Sequence, residues 1–124
     1  MPIVHAESAP SFTLPGLSVQ GLAAPSRGSR ETSAWRLSIA PGAPGVPHSV
    51  DREELFLALG GAAIATLGEE RLELRAGDVL IVPAGQVFSL ANPGAVAFEA
   101  IAVAPIGVRA RLPGGEPFAP PWTE

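Results

Sequence analysis

The run Gly42-Ala43-Pro44-Gly45-Val46-Pro47-His48-Ser49-Val50-Asp51-Arg52-Glu53-Glu54-Leu55-Phe56-Leu57-Ala58-Leu59-Gly60-Gly61 decides how this chain folds. Pro41 to Pro47 holds three prolines and two glycines, a composition that forces a turn-rich loop and delivers the chain to His48. Glu53 to Leu59 then reads as a strand, closed by Gly60-Gly61. Side chains alternate along a strand, so His48 and Val50 share parity with Glu54 and Phe56. A second run, Gly77 to Asn92, repeats this design: an apolar segment Val79–Val82, a corner at Pro83 and Gly85, and an outgoing segment Val87–Leu90. There Gln86 shares parity with Phe88 and Leu90.

Outward from these runs the chain continues in short pieces. Its 124 residues include 14 glycines and 14 prolines, which leave little room for a long helix and favour many strands with tight turns. Thr32 to Ala40 alternates, with Trp35, Leu37 and Ile39 on one face and Ala34, Arg36 and Ser38 on the other. Ala62–Leu67 and Arg71–Arg75 form a hairpin pattern about a Gly-Glu-Glu turn, and Ala95–Val103 and Val108–Leu112 complete the series. The expected fold is all-β in a single domain. Residues 32–112 form the barrel, residues 1–31 an arm that supplies edge strands or a loop cover, and residues 113–124 a Pro-rich strap packed on the barrel or on a partner subunit.

Composition excludes several functions. With no cysteine there is no disulfide framework, thiolate metal site or cysteine nucleophile, and all eight basic residues are arginines, so a lysine Schiff base is excluded as well. The arginines cluster only as Arg27 with Arg30, Arg71 with Arg75 and Arg109 with Arg111, with no stacking aromatics, and nucleic acid is not an expected partner. Neither a leader pattern nor an apolar run of membrane-spanning length is present, and the expectation is a cytoplasmic protein without a membrane partner.

The spacing of the two runs resembles the paired signature motifs of the cupin superfamily. Gly42, His48, Glu54 and Gly61 match the first motif, and Gly77, Pro83, Gly85 and Asn92 the second, with fifteen residues between Gly61 and Gly77 as in small microbial cupins. The resemblance covers residues 41–104 and implies a small jelly-roll barrel, usually a homodimer, with a ligand cavity inside. Metal-binding cupins hold a divalent metal with three histidines and one glutamate. At the matching positions this chain keeps His48 and Glu54 but has Val50 and Phe88 for the other two histidines. Two ligands of four are too few for tight binding of Fe, Mn or Zn, so no cofactor is expected; a metal, if bound, would use His48 and Glu54.

The surviving pair has two readings. Either Glu54 accepts a hydrogen bond from His48 and the two satisfy each other inside the barrel, or Glu54 orients His48 as a general base that removes a proton next to a carbonyl. Further candidates for the ligand cavity are Arg36, Ser38, Val50, Phe56, Gln86, Phe88 and Glu99. Glu99 stands in an apolar run, where it either pairs with Arg36 or faces solvent. The leading expectation is a metal-free small-molecule-binding barrel. An isomerase or cyclase using His48 and Glu54 is the alternative, followed by a metal-dependent dioxygenase and by a barrel packed solid with a structural role.

Overall fold

The computed structural model describes residues 3–124; Met1 and Pro2 of the expected arm lie outside the described residues. Among the described residues eleven strands account for nearly all of the regular structure: β1 (Ser11–Leu14), β2 (Leu17–Ala23), β3 (Thr32–Ile39), β4 (Ser49–Val50), β5 (Glu54–Gly60), β6 (Ala62–Leu67), β7 (Glu70–Arg75), β8 (Val79–Val82), β9 (Phe88–Ala91), β10 (Phe98–Pro105) and β11 (Ala110–Arg111). Only short 3-10 turns interrupt them, and among the described residues no helix is long and apolar enough to cross a membrane.

Two layers result. One is a six-stranded sheet in the order β1-β2-β3-β10-β5-β8, and the other a three-stranded sheet in the order β7-β6-β9. A bridge between His48 and Phe88 joins the β4–β11 pair to β9, so the second layer continues past its own strands. Non-sequential neighbours such as β3-β10-β5 are the crossovers of a jelly roll, and the fold is the expected all-β barrel.

Alternation along each strand decides which side chains enter the space between the layers. Trp35, Leu37 and Ile39 of β3, Phe56 and Ala58 of β5, Ala100 and Ala102 of β10, and Phe88 and Leu90 of β9 are all buried there. Two glycines and one asparagine fix corners of the barrel. At Gly61, φ is +71°, and a Cβ would lie 2.3 Å from the Ala97 carbonyl oxygen; at Gly45, φ is +80° and the corresponding distance to the Leu90 carbonyl oxygen is 2.5 Å. No side chain fits either place. Asn92, 1% exposed, donates from Nδ2 to the carbonyls of Ile39 and Val96, both at 2.9 Å, and accepts from the Gly94 amide. It pins the end of β9 to the end of β3, and its role is structural.

The ends of the chain pack on this same unit. The β1–β2 hairpin is hydrogen-bonded to β3 through β2, with β1 at the edge of the sheet. Phe118 pairs with Ala110, and Trp122 packs edge-on to Phe12 at 5.9 Å between centroids, so the strap lies on its own barrel. Several strand ends shift by one or two residues, and two strands differ more from expectation. Residues 95–97 lie in a bend before β10 rather than at its start, following Pro93-Gly94, and β11 shrinks to two residues.

Candidate functional site

The site lies where β5, β9 and the loop before β4 meet. Phe88 enters from the second layer with 1% exposure and meets Phe56 of the six-stranded sheet at 5.6 Å between ring centroids. On its other side it contacts the His48 imidazole, 4.4 Å away and tilted by 47°. The backbones of His48 and Phe88 exchange both hydrogen bonds, at 2.8 and 3.0 Å, which locks the two rings side by side. Val50, 6% exposed, is buried two residues further along the same strand. His48, Phe88 and Phe56 thus form one aromatic cluster, and Val50 is buried on the strand that His48 leads into.

Glu54 opens β5 with its side chain on the inward face, in register with Val82 of β8, which is 0% exposed. The carboxyl is 4% exposed and its Oε1 has no hydrogen-bond partner. Burial without a compensating donor disfavours the charged form, which raises the Glu54 pKa from 4.5 to about 8. At neutral pH the group is therefore chiefly a carboxylic acid. It holds a proton that it can donate to an acceptor atom.

Neither reading of a hydrogen-bonded His48–Glu54 pair is realised. His48 Nδ1 lies 2.8 Å from the Val46 carbonyl oxygen, two residues back, so the ring is oriented by its own loop. That local acceptor is closer along the chain than any carboxylate, and the Pro47 turn presents it to the ring. Among the described residues no side-chain hydrogen bond joins His48 to Glu54. The orphan is the carboxyl, not the imidazole.

Three expected cavity residues stand elsewhere. On β3 the buried face belongs to Trp35, Leu37 and Ile39, so Arg36 and Ser38 necessarily point outward, and Glu99 lies on the outer side of β10, in register with Ser38. Arg36 and Glu99 form an ion pair at 3.3 Å with side chains 45% and 30% exposed. The expected pairing exists, but it lies outside the barrel, where both charges keep water. Gln86 is half-buried at the Pro83–Gly85 corner, its amide donating to the Val87 carbonyl at 2.9 Å. It borders the site without entering the aromatic cluster.

Val82 was not singled out by sequence, although alternation back from Pro83 places it inward. Its position beside Glu54 follows from the β5–β8 register, which no local pattern states.

The residues present do not fit the family's metal. Of the four matching positions, Val50 carries no donor atom, Phe88 places an apolar ring against His48, and no group of three or more histidine, aspartate or glutamate side chains gathers among the described residues.

A family profile described as "Cupin domain" matches residues 35–104, more than half of the chain. Solved structures share the fold at low identity. The polyketide cyclase RemF from Streptomyces resistomycificus superposes with a TM-score of 0.81 at 17% identity, covering 90% of this chain and 84% of that one. KdgF from Halomonas sp. gives 0.71 at 18% identity, covering 85% and 94%. The 7S globulin of Momordica charantia gives 0.76 at 22%, covering 90% of this chain and 37% of that larger one. A search of curated protein sequences finds no match. The profile match, the two motifs and the jelly-roll topology agree: the chain belongs to the cupin family.

Proposed function

We propose that this cupin binds a small organic molecule without a metal, using the protonated Glu54 carboxyl as a hydrogen-bond donor in an otherwise apolar site. The observation that carries the reading is the orphaned Glu54 carboxyl. A buried polar group without a partner costs on the order of 1–3 kcal/mol, a cost that a ligand acceptor would remove. The complement of a neutral acid on the buried face of β5 that also carries Phe56, in register with Val82, is a flat or aliphatic body bearing a carbonyl or similar acceptor oxygen. His48, half-buried and held through Nδ1 by Val46, leaves Nε2 as the ring nitrogen that would meet a second polar group of the ligand. The lack of cysteine suits a cytoplasmic setting.

A proton-transfer enzyme is the second reading, favoured by one observation. A carboxyl with a pKa of about 8 is poised near neutrality, where a general acid works best. In such a reaction Glu54 would give its proton to a substrate carbonyl oxygen while His48 takes one from the adjacent carbon, giving the enol, and water would return each group to its starting protonation state on product release. The fold likeness to a protein described as a polyketide cyclase makes carbonyl-rich, ring-forming substrates the first to try.

The test is a thermal-shift screen of aromatic ketones, phenols and polycarbonyl compounds on metal-analysed protein, repeated on Glu54→Gln and Glu54→Leu. The reading requires substoichiometric Fe, Mn, Zn, Ni and Cu in wild type and at least one ligand that stabilises it. Glu54→Leu should weaken that ligand about 10-fold or more, as loss of a buried hydrogen bond implies. Stoichiometric metal, or ligand binding unchanged in Glu54→Leu, overturns it. Turnover that survives Glu54→Gln removes the enzymatic reading.

A further inference from the structure

We propose that the cleft between the N-terminal arm and the Pro25–Arg27 turn binds a small organic carboxylate, with Arg27 holding its charged end. The inference is independent of what the barrel binds, and no residue of the Glu54 site takes part. The cleft has a volume of about 450 Å³ and is lined by Ile3, Val4, His5 and Ser8 of the arm and by Ser26, Arg27 and Gly28 of the turn.

Arg27 sets this cleft apart. All eight arginines lie among the described residues, and seven are exposed; Arg27 alone is half-buried. A guanidinium drawn out of water calls for an acceptor in return. Arg36 and Arg75 have the carboxylates of Glu99 and Glu73, Arg111 has the Gly115 carbonyl, and the other four exposed arginines are served by water. Among the described residues no side-chain hydrogen bond or ion pair engages Arg27. No carboxylate lines the cleft either, although the chain has twelve acidic side chains and a net charge of −4. Glu7 stands on the arm without lining it, and Glu124 comes near through its backbone oxygen, which accepts from the Ser26 amide at 3.1 Å.

Local hydrogen bonds fix both walls. On the arm, the His5 carbonyl accepts from the amide and the hydroxyl of Ser8, both at 3.1 Å, and the Gln20 side chain of β2 donates to the Ala6 carbonyl. On the turn, the carbonyl of buried Ala24 accepts from the Arg27 and Ser29 amides at 2.9 and 3.1 Å, and Gly28 closes the turn with φ at +96°. The amides of Ser26, Arg27 and Gly28 all have backbone acceptors. An anion must therefore be held by side chains.

The lining names the ligand class. A planar guanidinium matches a carboxylate through two parallel N–H bonds. The Ser26 hydroxyl and an imidazole N–H of His5, present in either protonation state, are further donors. Ile3, 63% exposed, and Val4 add an apolar wall. The volume exceeds what an inorganic oxyanion fills and falls within the roughly 300–1,000 Å³ of small-molecule sites, so the anion carries a short apolar body.

Titration with benzoate and hexanoate tests this, followed by calorimetry and by the ring-proton resonances of the two histidines. Both carboxylates should bind with a Kd on the order of 1 mM, the scale of a small ligand with one charged contact, and inorganic phosphate more weakly. The His5 resonances, assigned with His5→Gln, should shift while those of His48 stay in place. Arg27→Gln should weaken binding about 10-fold or more, as loss of a hydrogen bond to a charged group implies. Arg30→Gln removes the same charge outside the cleft and should leave binding intact. Should Arg27→Gln fail to fold, the uncharged methyl benzoate probes the same contact on wild type and should not bind. Absence of binding about tenfold above the expected Kd overturns the proposal. So do equal affinities in wild type and Arg27→Gln, equal losses in the two arginine variants, methyl benzoate or phosphate binding as well as benzoate, and shifts confined to His48.

Discussion

β3 and β5 lie in the same sheet, separated only by β10, yet they distribute polarity in opposite ways. β3 follows the ordinary rule: Trp35, Leu37 and Ile39 face the core, and Arg36 and Ser38 face outward. β5 inverts it. Its inward positions hold Glu54, Phe56 and Ala58, while its outward ones hold Leu55, Leu57 and Leu59. A strand that only built the barrel would not bury its one carboxyl and expose leucines, since both choices cost free energy in an isolated monomer. β3 supplies stability. β5 carries the site's unusual feature, a buried carboxyl whose Oε1 has no hydrogen-bond partner.

The comparison is broken most severely by removing what β3 contributes. Trp35 is 5% exposed and faces Ala102 across the β3–β10 ladder. Trp35→Ala should cost about 3–5 kcal/mol in chemical denaturation, a value set by lost burial and the cavity left behind. A loss below about 1 kcal/mol would mean that β3 does not carry the core.

Glu54 sharpens the β5 side through pH. Its pKa is raised in the folded state from 4.5 to about 8, so between those values the native protein holds a proton that the unfolded chain has released. Stability is therefore greatest at and below about pH 4.5 on account of this group, falls as pH rises toward 8, and levels above it. Between pH 5 and 8 the loss should be roughly 3 kcal/mol in denaturant titrations. Glu54→Gln should flatten that slope and be the more stable protein at pH 9. A wild-type curve parallel to that of Glu54→Gln would show that the carboxyl has found a partner.

The smallest effect belongs to the outward face of β3. Arg36 pairs with Glu99 at 3.3 Å, but both side chains remain in contact with water, and such pairs contribute about 0–1 kcal/mol. Arg36→Ala should change stability by less than about 1 kcal/mol, with any effect vanishing in high salt. A larger, salt-resistant loss would place Arg36 within an interface.

The contrast between the strands was only half legible beforehand. Trp35, Leu37 and Ile39 announce their face because apolar and polar residues alternate cleanly. The choice of face for Arg36, Ser38 and Glu99 is then forced outward, whereas a ligand cavity lined with polar groups would have needed them inward. The Glu54 parity is equally plain, but its surroundings are not. Whether a buried carboxyl meets an imidazole depends on rotamer and loop, and Val46 wins the His48 ring because a carbonyl two residues away costs little chain entropy to reach.

What the amino-acid sequence alone determined was the barrel. Glycines at Gly61 and Gly45, where a Cβ would meet a carbonyl oxygen, the Pro83 corner, Asn92 and strict alternation are local demands, each readable from residue type and spacing. Only the tertiary structure decided the rest: that Glu54 stands unpartnered beside Val82, that Phe88 closes on His48, and that Leu57, Val79 and Ile101 line up as one outward apolar row. These relations join strands distant in the chain. Their register comes from packing two layers against each other, a condition that no local stretch of sequence contains.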